Sequence, residues 1–154
     1  MATLTLDEVS KSFGSQPVLQ HVSLAAADSE TIVIFGPSGA GKTVLLRLIA
    51  GVHDPDDGDI LIDGETMLGV DPEDRGIGMA LQHFALFPHM SAYGNIASPL
   101  QARRATSEAV REGVEKIARL LKIGHVLQHA PRELSNGQKQ RTALARALVA
   151  APQI

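Results

Sequence analysis

The feature that most constrains this chain is an eight-residue loop rich in small residues, Gly36-Pro37-Ser38-Gly39-Ala40-Gly41-Lys42-Thr43. It has the pattern G-x-x-x-x-G-K-[ST] of a phosphate-binding loop at every required position. Small residues let the backbone curl, so that successive N–H groups point inward and form an anion-binding nest. The lysine can reach the β- and γ-phosphates, and the threonine hydroxyl is a ligand for Mg²⁺. The loop therefore predicts a nucleotide site, and a glycine-rich turn that binds nothing is the plain alternative.

The segments on either side of this phosphate loop (residues 36–43) supply the setting that it requires. Residues 31–35 are β-branched and apolar and predict a buried strand. Residues 44–50, followed by Gly51, predict a short buried helix with a glycine stop. Strand, loop and helix in this order bring the free N–H groups and the dipole of the helix N-terminus to the phosphates.

Length and composition favour one globular domain. The chain has 154 residues, of which 44% are hydrophobic and 20% charged, as in ordinary globular proteins. The net charge of −3 gives no basic field for nucleic acid, and the absence of cysteine excludes disulfides and cysteine-bound zinc. The first residues do not resemble a signal peptide, and no apolar run reaches about 18 residues. We therefore expect no transmembrane segment and a cytosolic setting.

Further elements follow from periodicity. We predict an edge strand at residues 4–9 and further strands at 18–24, 60–62 and 76–81. Gln82 follows the last of these strands, where ligands of open α/β sheets bind, so we expect it to face the nucleotide. A helix is predicted over residues 107–122, with an apolar face formed by Val110, Val114, Ile117 and Leu121. The apolar stretch 84–90 fits either a partner surface or inward packing.

A second anion site is predicted near the C-terminal end of the chain. Ser135 is a natural N-cap, and Asn136-Gly137 suits a tight turn. Residues 139–150 are rich in alanine and leucine and predict a strong helix. A capped helix alone is the plain interpretation, but beside a phosphate loop in the same chain its N-terminus is expected to bind anions as well.

The phosphate loop, Gln82 and the sequence Leu134-Ser135-Asn136-Gly137-Gln138, in this order and spacing, resemble the ATP-binding subunit of an ABC transporter. The resemblance covers essentially the whole chain and looks most like bacterial importers of the sugar-uptake type. It implies an α/β fold: a P-loop NTPase core with an N-terminal antiparallel β subdomain and a helical subdomain, incomplete at the C-terminus. Within the partial domain 1–154, the β and phosphate-loop core would span about residues 1–90, the helical subdomain 91–134 and the signature helix 135–151.

The resemblance also implies roles for individual residues. Phe13 would stack on adenine, and Lys42 and Gln82 would serve catalysis. Thr43 and Gln82 would hold Mg²⁺. The signature residues 134–138 would contact the ATP that is held by the opposite protomer. The nucleotide-binding set comprises Phe13, Gly36, Pro37, Ser38, Gly39, Ala40, Gly41, Lys42, Thr43 and Val44.

The implied cofactors are ATP and Mg²⁺, and the implied partners are proteins. They are a second ATP-binding subunit in a head-to-tail dimer and transmembrane permease subunits, at the cytoplasmic face of the cell (inner) membrane; no nucleic acid is implied. ATP would close the dimer and hydrolysis would reopen it. The sequence departs from the family in having Asn136 where glycine is usual, although asparagine tolerates a left-handed turn.

A second departure concerns the end of the sequence. The Walker-B aspartate, the glutamate that polarises water and the switch histidine of the family would all lie beyond Ile154. We therefore expect weak or no ATPase activity from this chain alone. Two alternatives are a non-catalytic nucleotide-binding module and a non-transport ABC ATPase that acts on DNA or ribosomes. The last is disfavoured for two reasons. DNA-repair relatives carry a long coiled-coil insertion, and no heptad run separates Lys42 from Ser135; ribosome-acting relatives carry two cassettes, and this chain matches only part of one.

Overall fold

A computed structural model of the chain describes residues 2–81 and 83–154. The fold divides into two compact units. The first runs from the N-terminus to Ile77 and includes Gln153 and Ile154, and the second spans Gly78–Pro152. The first carries the phosphate loop, and the second carries the signature residues.

The first unit is built on a four-stranded antiparallel sheet of order β2-β1-β3-β4, comprising β1 (Leu4–Phe13), β2 (Gln16–Ala26), β3 (Asp57–Ile62) and β4 (Glu65–Thr66). This confirms the predicted N-terminal antiparallel subdomain. β1 pairs with both β2 and β3, so it is an interior strand and the prediction of an edge strand was wrong. Alternate residues of the sheet and the apolar face of helix α1 (Lys42–Ile49) form one core, which contains Leu4, Leu6, Val9, Leu19, Leu45, Leu48, Ile49, Ile60 and Ile62.

Two predicted strands are not formed. Residues 31–35 and 76–81 have no strand pairing, and the side chains of Val33 and Phe35 are 82% and 98% exposed. A β-branched sequence favours extended backbone, but a strand also needs a neighbour for its backbone hydrogen bonds. Among the residues that the structure describes, none pairs with 31–35 as a ladder.

The second unit is helical. It contains α2 (Ala92–Ala102), α3 (Ser107–Leu120) and α4 (Asn136–Leu148), with 3₁₀ turns at Gly124–Val126 and Pro131–Glu133. The predicted apolar face of α3 is confirmed, because Val110 and Val114 are buried and Ile117 and Leu121 pack against the same core. The ends of α3 agree with the predicted helix to within two residues, and those of α4 to within three.

Candidate functional site

The phosphate loop makes the tight turn that its glycines predict. Gly39 and Gly41 have left-handed φ values of 84° and 83°, and the N–H of Ala40 donates to the carbonyl of Pro37 at 3.3 Å. A Cβ on Gly41 would lie 2.9 Å from Leu19 Cδ2 and 3.1 Å from Val18 Cγ1. The loop therefore turns directly against β2, and only glycine fits both the backbone angle and the space at position 41.

Helix α1 begins immediately after this turn. Its N-cap, Gly41, supplies no side-chain cap, and the first N–H with a helical acceptor is that of Leu45, which donates to Gly41 O at 2.9 Å. The N–H groups of residues 42–44 therefore have no acceptor within the helix. Together with the helix dipole, they form a site suited to phosphate oxygens.

The Lys42 side chain folds back over the loop. Its Nζ donates to the carbonyls of Gly36 at 2.8 Å and Pro37 at 2.6 Å, so the ammonium group lies at the mouth of the turn. The next residue, Thr43, is exposed on the first turn of α1. A cation, free N–H groups and an accessible hydroxyl thus lie within a few consecutive residues, and this donor set matches a phosphate–Mg²⁺ ligand.

The far end of α1 is held by a buried arginine that sequence reasoning missed. Arg75 is 3% exposed; its Nη1 donates to Leu48 O at 3.1 Å and its Nε to Val70 O at 2.9 Å. Burial lowers the pKa of the guanidinium, and Asp54 opposes this effect. Gly51 ends the helix with a φ of 77°, as predicted, and a Cβ there would lie 2.5 Å from Arg75 Nε.

Phe13 lies at the end of β1, where the β1–β2 hairpin turns. Its ring is 47% exposed and meets the His53 ring edge-on, with 5.7 Å between centroids. Phe13 pairs with Gln16, which is two residues before the Val18 that contacts the phosphate loop. Adjacent positions along a strand are about 3.3 Å apart. The half-exposed ring of Phe13 therefore lies at the same edge of the first unit as the phosphate loop.

The signature residues form the N-terminus of α4, in the second unit. Ser135 Oγ accepts from Gln138 N at 3.3 Å, and Gln138 Oε1 accepts from Ser135 N at 2.8 Å, which is a reciprocal capping box. Leu134 is buried, whereas Ser135, Asn136 and Gly137 are exposed. The predicted N-cap is therefore present, and a Cβ on Gly137 would meet nothing within 4 Å.

Gln82 lies outside the described residues. The segment that follows it is held by two side chains that sequence reasoning missed. Arg146 of α4 donates to the carbonyl oxygens of Phe84 and Ala85, and the buried Asn95 bonds both backbone groups of Phe87. The predicted site residues thus fall into two local groups, the phosphate loop with Phe13 in the first unit and the signature residues in the second.

Comparison with known proteins gives consistent matches. The sequence profile of the family described as ABC transporter matches residues 19–154. The chain is 44% identical over 155 residues to the sn-glycerol-3-phosphate import ATP-binding protein UgpC of Pectobacterium atrosepticum, and 43% identical to that of Bordetella pertussis. Each alignment covers all of this chain and 43% of the relative, so the chain spans less than half the length of these proteins.

Solved structures agree with the sequence matches. The fold is similar to the dimeric structure of MJ0796, a bacterial ABC transporter cassette, with a TM-score of 0.88 and 30% identity over 97% of this chain and 70% of that one. A post-hydrolysis dimer of the same cassette bound to ADP and Pi matches with a TM-score of 0.87 and 31% identity.

In the part of the chain that the structure describes, no helix is both long and apolar enough to cross a membrane.

Proposed function

The chain belongs to the ABC transporter family, and from that premise we propose that it binds ATP on the phosphate loop as the nucleotide-binding part of an import subunit. The observation that carries this proposal is the start of α1. There, uncapped N–H groups and the Lys42 ammonium group converge beside a turn that only glycine can make. The neighbour bound to ADP and Pi supports a nucleotide as the ligand.

We assign the residues of the loop as follows. The N–H groups of the phosphate loop and Val44 bind phosphate oxygens, and Lys42 exchanges its carbonyl acceptors for the β- and γ-phosphates. The Thr43 hydroxyl and Gln82 would hold Mg²⁺, which would supply positive charge to neutralise the phosphates. Phe13 offers its exposed ring to the adenine. For the described residues, each assignment uses the donor, hydroxyl or ring that the residue presents.

We further propose that the signature residues act on a second copy. The exposed N-terminus of α4, with Ser135 and the unobstructed Gly137, would meet the ATP held by an opposite protomer. The dimeric neighbour supports this arrangement. In a protein of the relatives' length, ATP binding and hydrolysis would drive permease subunits at the cytoplasmic face of the membrane.

The solute is proposed from the relatives. Proteins 43–44% identical to this chain are named for sn-glycerol-3-phosphate import, which favours a sugar or sugar-phosphate class of solute. Their names also favour transport over action on DNA or ribosomes.

The test is the affinity of the 154-residue chain for ATP in the presence of Mg²⁺, measured by calorimetry. We expect saturable binding that is lost in Lys42→Ala and kept in Lys116→Ala, the same substitution on the exposed face of α3. No saturable binding by the parent chain, or equal binding by the Lys42→Ala variant, would overturn the assignment of the phosphate loop.

A further inference from the structure

Two consecutive residues just downstream of Gln82 have an unusual backbone. Phe84 and Ala85 have φ values of 57° and 45°, in the left-handed region that residues with a Cβ rarely occupy. Neither is glycine or asparagine, so no local feature of the sequence favours this conformation. Such a pair persists only where surrounding groups over-determine it.

Arg146 supplies the first of these groups. From the last turn of α4, its Nη1 donates to Ala85 O at 2.7 Å and its Nη2 to Phe84 O at 3.2 Å. Its guanidinium carbon lies 5.3 Å from the centroid of the Phe87 ring. Among the described residues no carboxylate pairs with it, and burial lowers the pKa of the guanidinium. Carbonyl dipoles and an aromatic face therefore compensate its lost hydration.

Asn95 supplies the second group. It is fully buried in α2. Its Oδ1 accepts from Phe87 N at 2.7 Å, and its Nδ2 lies 3.1 Å from Phe87 O, 3.3 Å from Met90 O and 3.0 Å from Ser91 O. This network anchors Phe87 to α2, whereas Arg146 anchors the carbonyls of the strained residues Phe84 and Ala85 to α4.

We propose that Arg146 is a positioning residue that holds the segment 84–87 in its strained conformation, so that this segment moves together with the signature helix α4. A displacement of α4 would draw the two carbonyls with it or release the strain. The link to nucleotide chemistry rests on the proposed function, which assigns Gln82 to Mg²⁺ and the signature residues to the ATP of an opposite protomer. The contacts of Arg146 with Phe84, Ala85 and Phe87, which we call the clamp, all lie within the second unit.

Hydrogen exchange of the segment tests the clamp without nucleotide. We expect Arg146→Lys to raise amide exchange in residues 84–91 about tenfold. A lysine ammonium group lacks the two planar donors with which a guanidinium bonds both carbonyls, and it cannot stack flat on the Phe87 ring. Exchange in α3 should stay unchanged. The matched control is Arg141→Lys, an exposed arginine on the same helix with one long contact, 3.5 Å to Leu121 O.

A strain-relief variant separates positioning from simple packing. Glycine adopts positive φ without cost, so Ala85→Gly in the Arg146→Lys background should return exchange in 84–91 to within about threefold of the parent. Ala130→Gly, at a residue with an ordinary φ of −73°, should give no rescue. Additive effects of the two substitutions, or a uniform rise throughout α2, α3 and α4, would overturn the proposal.

ATP affinity distinguishes this inference from the proposed function. Because the phosphate loop belongs to the first unit and the proposed role of Gln82 is toward Mg²⁺, we expect Arg146→Lys to leave the Kd for ATP measured without Mg²⁺ within about twofold of the parent, a change of about 0.4 kcal/mol. If the parent chain does not bind ATP, the proposed function fails, whereas the exchange comparison still decides the role of Arg146.

Discussion

At the scale of single residues, Gly39 and Gly41 share a left-handed backbone and differ in their surroundings. A Cβ on Gly39 would meet nothing within 4 Å, whereas one on Gly41 would lie 2.9 Å from Leu19 Cδ2. We expect Gly39→Ala to cost about 1–2 kcal/mol from backbone strain, and Gly41→Ala a further 1–3 kcal/mol or so from overpacking. Urea unfolding and ATP affinity measure both effects, and equal losses in the two variants would contradict the packing of the loop on β2.

Asp56 gives a residue-scale prediction about pH. Its carboxylate accepts from Lys11 Nζ at 2.7 Å and from Ser12 N at 2.6 Å, and these bonds lower its pKa below the usual 3.8. A lowered pKa in the folded state adds stability above pH 3.8, and this stability is lost as the pH falls through the folded value. We expect Asp56→Asn to lower the Tm at pH 7 and the difference to shrink below pH 3.8. Asp71→Asn, in an exposed turn, is the control and should show neither effect.

At the scale of elements, those predicted correctly are the ones whose signals are local. The 3.6-residue period of α3, the N-cap Ser135 of α4 and the glycine that ends α1 all act within one or two helical turns. The strand predicted at residues 31–35 failed because its partner must come from elsewhere in the chain, and composition supplies only a preference. The same reason explains residues 76–81, which form no ladder with any described strand; their backbone acceptors are Gly76 O, which accepts from Gln153 N at 2.7 Å, and Leu81 O, which accepts from Phe84 N at 3.0 Å.

The candidate site likewise has features that the sequence predicts and features that only the fold reveals. The phosphate loop is visible in the sequence because its chemistry occupies eight consecutive residues. Arg75 and Arg146 were missed because their acceptors lie 27 and 61 residues away. The sequence contains no clear signal for either arginine, because Arg75 follows the acidic pair Glu73-Asp74 and α4 carries Lys139 and Arg141 besides Arg146. An arginine can bury its charge only where carbonyl groups or other acceptors receive it, and these acceptors are visible only in the fold.

Arg75 supports a prediction about helix α1. Arg75→Met removes donors to Val70 O and Leu48 O. Leu48 O keeps the N–H of Gly51 at 3.0 Å, whereas Val70 O has no other donor among the described hydrogen bonds, and leaving that carbonyl without a partner costs about 1–3 kcal/mol. Because α1 carries the phosphate loop at its other end, we expect ATP affinity to fall as well. The comparison is Arg47→Met, in the last turn of α1, where only the weaker interaction with the helix dipole, about 0.3–1 kcal/mol, is lost. Equal losses of stability from both variants would remove the special role of Arg75.

Gly137 offers a prediction in which stability and function move in opposite directions. It lies in α4 with ordinary helical backbone and open space around it, so Gly137→Ala should raise the free energy of unfolding by about 0.5–1 kcal/mol. If the signature meets ATP across a dimer, ATP-dependent dimerisation should weaken, because an added methyl group obstructs that approach. Gly113→Ala in α3 should give less stabilisation, since its Cβ would lie 2.9 Å from Leu100 Cδ1. A dimer unaffected by Gly137→Ala would count against the proposed role of the signature.

At the scale of the whole molecule, the chain presents an apolar strip immediately before its phosphate loop. Val33 and Phe35 are 82% and 98% exposed, which is unusual for large apolar side chains next to a binding loop. We therefore expect concentration-dependent association of the 154-residue chain, seen by sedimentation velocity. Phe35→Ser should reduce it and change the free energy of unfolding by no more than about 0.5 kcal/mol, as for other exposed positions.

The matched control for this strip is Leu120→Ser, at a 70%-exposed residue of α3 that follows the charged Arg119. It should leave association unchanged, because Leu120 lies between the exposed Arg119 and the half-buried Leu121 and so offers little exposed apolar area to cover. If Phe35→Ser instead cost as much as a core truncation, about 3 kcal/mol or more, the side chain of Phe35 would be buried in solution. Residues 31–35 would then form the strand that their sequence predicts. A loss of association with no loss of stability would show that the segment before the phosphate loop is an open apolar surface of the chain.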